Sequence, residues 1–137
     1  KWKSVYNNAN EYIYEVLSEI PEDLFEPIIR KTKSGVRFEY IVSEYAIVPE
    51  GRQALLKKSG YYELVKNGLI KRKMQKSVQV VVVLNEKEAC IFFPKKGEAD
   101  ITEMFYGDQE MFHEWCLDYF RYCWYNAGTF QENKLKE

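Results

Sequence analysis

A chain of 137 residues has the length of one ordinary domain, enough to close a single core, and 46% apolar content sets it apart from a disordered tail. No stretch approaches the roughly 18 uninterrupted apolar residues that a membrane-spanning helix needs. With 20 basic residues against 21 acidic and a net charge of −1, it lacks the basic excess by which duplex-binding surfaces neutralise phosphate, so this segment is not expected to bind DNA by itself.

The three cysteines, Cys90, Cys116 and Cys123, are odd in number, sit in apolar contexts and form no CxxC pair. Together with the lack of a signal peptide, this favours a reducing cytoplasm and buried free thiols over a disulfide framework. The chain opens on Lys1-Trp2 without an initiator methionine, which leads us to expect a fragment whose preceding part carries another domain.

In chain order, Trp2, Val5, Tyr6 and Ala9 recur at helical spacing, so residues 1–10 read as the end of a linker helix. The aromatic and β-branched run Glu11 to Leu17 predicts a strand. Pro21 opens a helical pattern carrying Leu24, Phe25, Ile28 and Ile29, with Glu22 and Asp23 at its positive end. Pro27 implies that this helix begins nearer Glu26 or kinks, and Ser34-Gly35 ends it. Val36 to Val42 alternates as a second strand, making a βαβ unit with parallel pairing.

Two short helices follow, over Gly51 to Lys58 and Tyr61 to Gly68, then a strand over Leu69 to Met74. Val78 to Leu84, the turn Asn85 to Glu88, and Ala89 to Pro94 read as a β-hairpin. Lys95 to Asp100 has turn composition. The last helix is expected to start at Gly107-Asp108, with Asp108 as N-cap, to run to about Ala127 and to stop at Gly128. The domain is thus placed at 11–130, with 131–137 a frayed tail. The predicted class is α/β, a mixed sheet built from the strand-helix-strand unit, the hairpin and a long C-terminal helix.

Catalytic patterns are sparse. The one histidine, His113, lies in a helical segment with no nucleophile and orienting acid around it. Cys116 and Cys123 are two helical turns apart, too far to share a metal ion directly, so no metal and no cofactor is expected. There is neither GxGxxG nor GxxxxGK[ST], and Gly35, Gly51, Gly60 and Gly68 stand singly at element ends. Carboxylate pairs such as Glu22-Asp23 and Glu114 with Asp118 fall at helix starts and surface spacings. The basic patches Arg30-Lys31-Thr32-Lys33 and Lys71-Arg72-Lys73 read as solvated element ends.

Two features resist this plain reading. Aromatic residues surround most of the last helix: Phe112, Trp115, Cys116, Tyr119, Tyr122 and Cys123 read as core, leaving Phe120, Trp124 and Tyr125 to find a second partner. They pack under a loop, form a dimer interface or wall a ligand pocket. Arg72 alternates with Lys71 and Lys73 on its strand, so it either points inward to an acidic partner or anionic ligand, or sits on an edge strand charged on both faces. The candidate ligand contacts are Arg72, Tyr40, Trp115 and Tyr119. The candidate homodimer contacts are Trp2, Tyr6, Phe120, Trp124 and Tyr125.

The run Val80-Val81-Val82-Val83-Leu84-Asn85-Glu86-Lys87-Glu88-Ala89-Cys90-Ile91-Phe92-Phe93-Pro94, then Asp100 and Phe105 to Trp124, resembles the C-terminal regulatory domain of archaeal winged-helix transcriptional regulators of the methanogenesis (filamentation) regulator family. The segment Tyr12 to Val42, with Ser34-Gly35-Val36 before its second strand, looks like the phospholipase-D-like sensor domain of archaeal sugar-responsive repressors. The phospholipase D signature, HxK followed by Asp, is absent. The resemblance therefore implies a non-catalytic phospholipase-D-like scaffold that senses a small effector, mediates dimerisation, or both, with DNA bound by an N-terminal winged helix outside this chain. The alternatives are a degenerate phospholipase-D-like hydrolase or nuclease, and a pure protein-interaction module.

Overall fold

The computed structural model of the chain describes residues 2–20, 23–93 and 103–135. Its elements are α1 (Trp2–Asn7), β1 (Tyr12–Glu19), α2 (Phe25–Lys33), β2 (Arg37–Ile47), α3 (Arg52–Ser59), α4 (Tyr61–Lys66), β3 (Ile70–Gln75), β4 (Val81–Leu84), β5 (Ala89–Phe92), β6 (Phe105–Gly107), α5 (Glu110–Asn126) and β7 (Gly128–Thr129). The strands form one sheet in the order β6-β5-β4-β1-β2-β3-β7. β1, β2 and β3 are parallel, and β4, β5, β6 and β7 join them antiparallel.

α2 shows how local chemistry sets the frame. It carries Glu26 in its first turn and Arg30, Lys31 and Lys33 in its last, each matching the sign of the helix dipole. Pro27 falls in the first turn, where its missing N–H costs nothing, so the helix begins at Phe25. The expected opening at Pro21-Glu22 lies outside the described residues. Gly35, at φ 107°, closes the helix: its N–H bonds Thr32 O at 3.0 Å and the Val36 N–H bonds Lys31 O at 3.2 Å, the paired bonds of a Schellman end. Val36 then leads directly into β2.

The βαβ unit and the hairpin form as expected, but several boundaries move. β4 keeps only Val81–Leu84, and Asp108 is not a cap, because Gly107 ends β6 and Gln109 precedes the helix. Gly128 does not stop α5 either; Ala127 does, in extended conformation, and Gly128 begins β7 against Met74 of β3. The turn composition at Lys95 to Asp100 lies outside the described residues. The tail expected to fray instead makes a 3-10 turn over Glu132–Lys134 and buries Leu135, because Glu132 finds two cationic partners on the domain.

Alternation along the strands assigns the two faces. Tyr14 stacks on Phe120 of α5 at 4.6 Å, and Lys73 donates to the Trp124 carbonyl at 2.8 Å, so these side chains face α5. Glu15, Tyr40 and Arg72 face the opposite layer, built by α1 to α4. The β4–β5 turn is tied from both sides. Asn85 donates to Val5 O of α1, its carbonyl oxygen accepts from His113 Nε2 of α5 at 2.6 Å, and the Glu86 carboxylate accepts the Asn10 and Glu11 N–H groups at 2.9 and 3.0 Å. A carbonyl only accepts, so the His113 proton sits on Nε2 and the ring serves as a strut.

Candidate functional site

Parallel strands in register place equivalent side chains next to one another on one face. Tyr40 pairs with Glu15 on one side and with Arg72 on the other, so three polar residues cross the middle of the sheet in a row. Leu24 just before α2, Ile28 of α2, Leu56 of α3 and Tyr61 of α4 cover this row.

At one end of the row, the Tyr40 and Tyr61 hydroxyls bond at 2.6 Å, and Arg72 Nη1 donates to Tyr61 Oη at 3.1 Å. Arg72 also donates to Glu132 Oε2 at 3.1 Å and stacks over Phe130, while Arg52 Nη1 pairs with Glu132 Oε1. Burial is the largest influence on Arg52 and opposes its charge, but the bond to Glu132 together with the electrostatic pull of Tyr40, Glu132 and Tyr61 outweighs it and holds the pKa above the ordinary value. Burial also raises the Tyr40 hydroxyl well above the usual range. Both guanidinium groups are thus matched by one carboxylate from the C-terminal turn. Of the two readings of Arg72, the inward one with an acidic partner is the one observed.

At the other end lies Glu15, 1% exposed. Its Oε2 accepts from Tyr6 of α1 at 2.7 Å, while Oε1 is buried with no hydrogen-bond partner among the described residues. Burial pushes this carboxyl up to about 7, and the Tyr6 bond pulls it only part of the way back. Between the sheet and α2–α3 is a cavity of about 70 Å³ lined by Glu15, Leu17, Ile28, Phe38, Tyr40 and Tyr61, with Phe25, Glu50 and Leu55 among its more exposed lining residues.

Of the expected ligand contacts, the structure brings together Tyr40 and Arg72. Trp115 and Tyr119 are stacked on each other at 5.5 Å on α5, across the sheet, and cannot share a pocket with them. Two of the expected dimer contacts are also corrected. Tyr6 is buried against Glu15, and Phe120 is 2% exposed beneath Tyr14, so neither presents a surface. Trp124 is half-buried, stacked on Phe120 with Lys73 over its ring, which is packing against its own chain. Trp2 is partly buried beside Tyr6, and Tyr125 is 87% exposed. Tyr122, expected in the core, is 69% exposed, and Trp115 is also exposed. The basic patches are not simply solvated: Lys31 reaches Ala9 O, and Lys73 reaches Trp124 O.

No protein-family model matches the chain, and no curated protein sequence does. Solved structures do match. TrmBL2, described as an archaeal chromatin protein with a novel mode of DNA binding, superposes with a TM-score of 0.70 at 14% identity, over 94% of this chain and 48% of its own. Nuc, a phospholipase D family member from Salmonella typhimurium, superposes with a TM-score of 0.65 at 14% identity, over 94% of this chain and 88% of its own. The chain has a phospholipase-D-like fold. It spans about half the length of TrmBL2, and at these identities the phospholipase-D-like likeness concerns architecture alone.

Glu15 and Glu132 were not among the expected site residues. Glu15 lies in a strand buried on both faces from Ile13 to Ser18, so the apolar run around it, rather than alternation, was the signal that it is buried. Glu132 sits in a polar run, and nothing local to that run points to its arginine partners.

Proposed function

We propose that this chain is a regulatory domain of an archaeal transcriptional regulator, sensing a small effector in the cavity beneath α2 and α3, with DNA contacted by a winged helix elsewhere in the protein. The observation that carries this reading is the cavity with a buried, half-satisfied Glu15 on its wall. It is supported by the link from that carboxyl to α1: Glu15 accepts from Tyr6, so occupancy of the cavity bears on how α1 is held. The architectural likeness to TrmBL2 agrees with this assignment.

The test is a thermal unfolding series of the chain against a panel of small apolar amines, alcohols and acids. Saturable stabilisation by one class, with nuclear magnetic resonance shifts at Leu17, Ile28 and Phe38, is the expected result; no stabilisation and no shifts at these residues would refute the cavity as a sensor.

A second reading, self-association, is favoured by α5. Met111, Trp115, Tyr122 and Tyr125 lie along one exposed, mainly apolar stripe of that helix that also carries Asp118, a surface suited to a symmetric partner. Analytical ultracentrifugation of the wild type and of a Tyr122→Glu, Tyr125→Glu double variant tests it: a dimer that the variant breaks supports it, and a monomeric wild type refutes it.

A further inference from the structure

We infer that the cavity beneath α2 and α3 takes a small hydrophobic amine, its ammonium group donating to Glu15 Oε1 and its hydrocarbon body lying among Leu17, Ile28, Ile29 and Phe38. This rests on the reading of the cavity as a ligand site. The argument is one of unmet valence. Of the other polar groups on the wall, the Tyr40 and Tyr61 hydroxyls bond each other and Arg72, Arg52 is held by Glu132, and Glu50 sits exposed to solvent at the rim. Glu15 Oε1 is left as an acceptor, buried and unpartnered, in walls that are otherwise largely apolar.

A ligand that fits must therefore bring a donor at one end and hydrocarbon at the other. A carboxylate at the same place would meet Glu15 with like charge and gain no bond from the engaged arginines. An ammonium satisfies the open acceptor with a charge-assisted bond, stronger than the bond of a neutral hydroxyl. Size narrows the class further. At about 70 Å³, the space is less than half that of the ~150 Å³ engineered cavity that accepts the six carbons of benzene, so it encloses about three heavy atoms and leaves the far end of a short amine at the mouth beside Leu55. Longer chains would project past Leu55, which is partly exposed.

The test is a titration of isobutylamine, isobutanol and isobutyrate into the wild-type chain and a Glu15→Gln variant at neutral pH, followed by nuclear magnetic resonance. Isobutylamine is expected to perturb Leu17, Ile28 and Phe38 and to bind about tenfold tighter than isobutanol, with isobutyrate weakest. Glu15→Gln should bring the amine to the level of the alcohol and leave the alcohol unchanged. Equal binding of amine and alcohol at these residues would overturn the amine and keep the cavity as a site. No perturbation there by any of the three would overturn both. If Glu15→Gln does not fold, the comparison of the three compounds on the wild type still decides.

Discussion

A single carboxyl and a single C-terminal glutamate carry most of the chemistry of the covered face. Glu15 is raised to about 7 in the folded chain by burial, against about 4.5 for a free glutamate, and among the described residues it is hydrogen-bonded only to Tyr6, with Tyr40 its neighbour in register. The folded state therefore holds this proton more tightly than the unfolded state. The stability it contributes is fully present below pH 4.5 and is lost as pH rises through 7, by about 3 kcal/mol in all. Urea unfolding at pH 5 and pH 8 should show this fall in the wild type, and Glu15→Gln should flatten it; an equal slope in both would mean Glu15 is not the group titrating. Glu132 contributes through its ion pairs. Replacing it with alanine leaves the buried Arg52 and the partly buried Arg72 without their carboxylate, and we expect a loss of roughly 2 to 3 kcal/mol in denaturant unfolding. A loss below about 0.5 kcal/mol, the ordinary range for a surface substitution, would show that the two ion pairs are solvated.

At the scale of elements, the longer strands were legible and the phase of α5 was not. β1 and β2 announce themselves by β-branched and aromatic runs, and α2 by its stop at Gly35. On α5 nearly every turn carries aromatics on several sides, so hydrophobic period alone cannot choose the buried face. The cysteines could have chosen it: Cys116, Phe120 and Cys123 lie at i, i+4 and i+7 and are the buried positions, while the larger Trp115 and Tyr122 point outward. Phe120→Ala should therefore cost about 3 to 4 kcal/mol, and Tyr125→Ala less than about 0.5 kcal/mol. Similar unfolding midpoints for the two variants would contradict this orientation of the helix. β6 and β7 escaped sequence reading because three- and two-residue strands are too short to show a period, and their pairing is decided by the strands they meet.

For the molecule as a whole, α5 closes one face of the sheet and the smaller helices close the other. All three thiols are buried. Burial pushes Cys90 and Cys116 up to about 12 and raises Cys123 as well, so little thiolate exists at neutral pH. Thiol labelling at pH 8 should be slow for the native chain, and its rate should rise with denaturant along the unfolding curve. One cysteine that labels rapidly without denaturant would mean that α5 opens locally.

The two shortest strands have a consequence out of proportion to their length. β7 lies along the outer edge of β3, and β6 along that of β5, each for only part of the way. Unpaired backbone on a sheet's rim is a template on which another polypeptide can add itself, and short guard strands are one way in which proteins blunt it. A chain ending at Asn126 would keep every helix and lose the guard over Lys73 and Met74, along with the Glu132 turn that shields Arg72. Light scattering of that truncated chain should reveal growth into insoluble assemblies under conditions where the intact chain stays dispersed. On that outcome, residues 128–135 would be the stopper against runaway polymerisation.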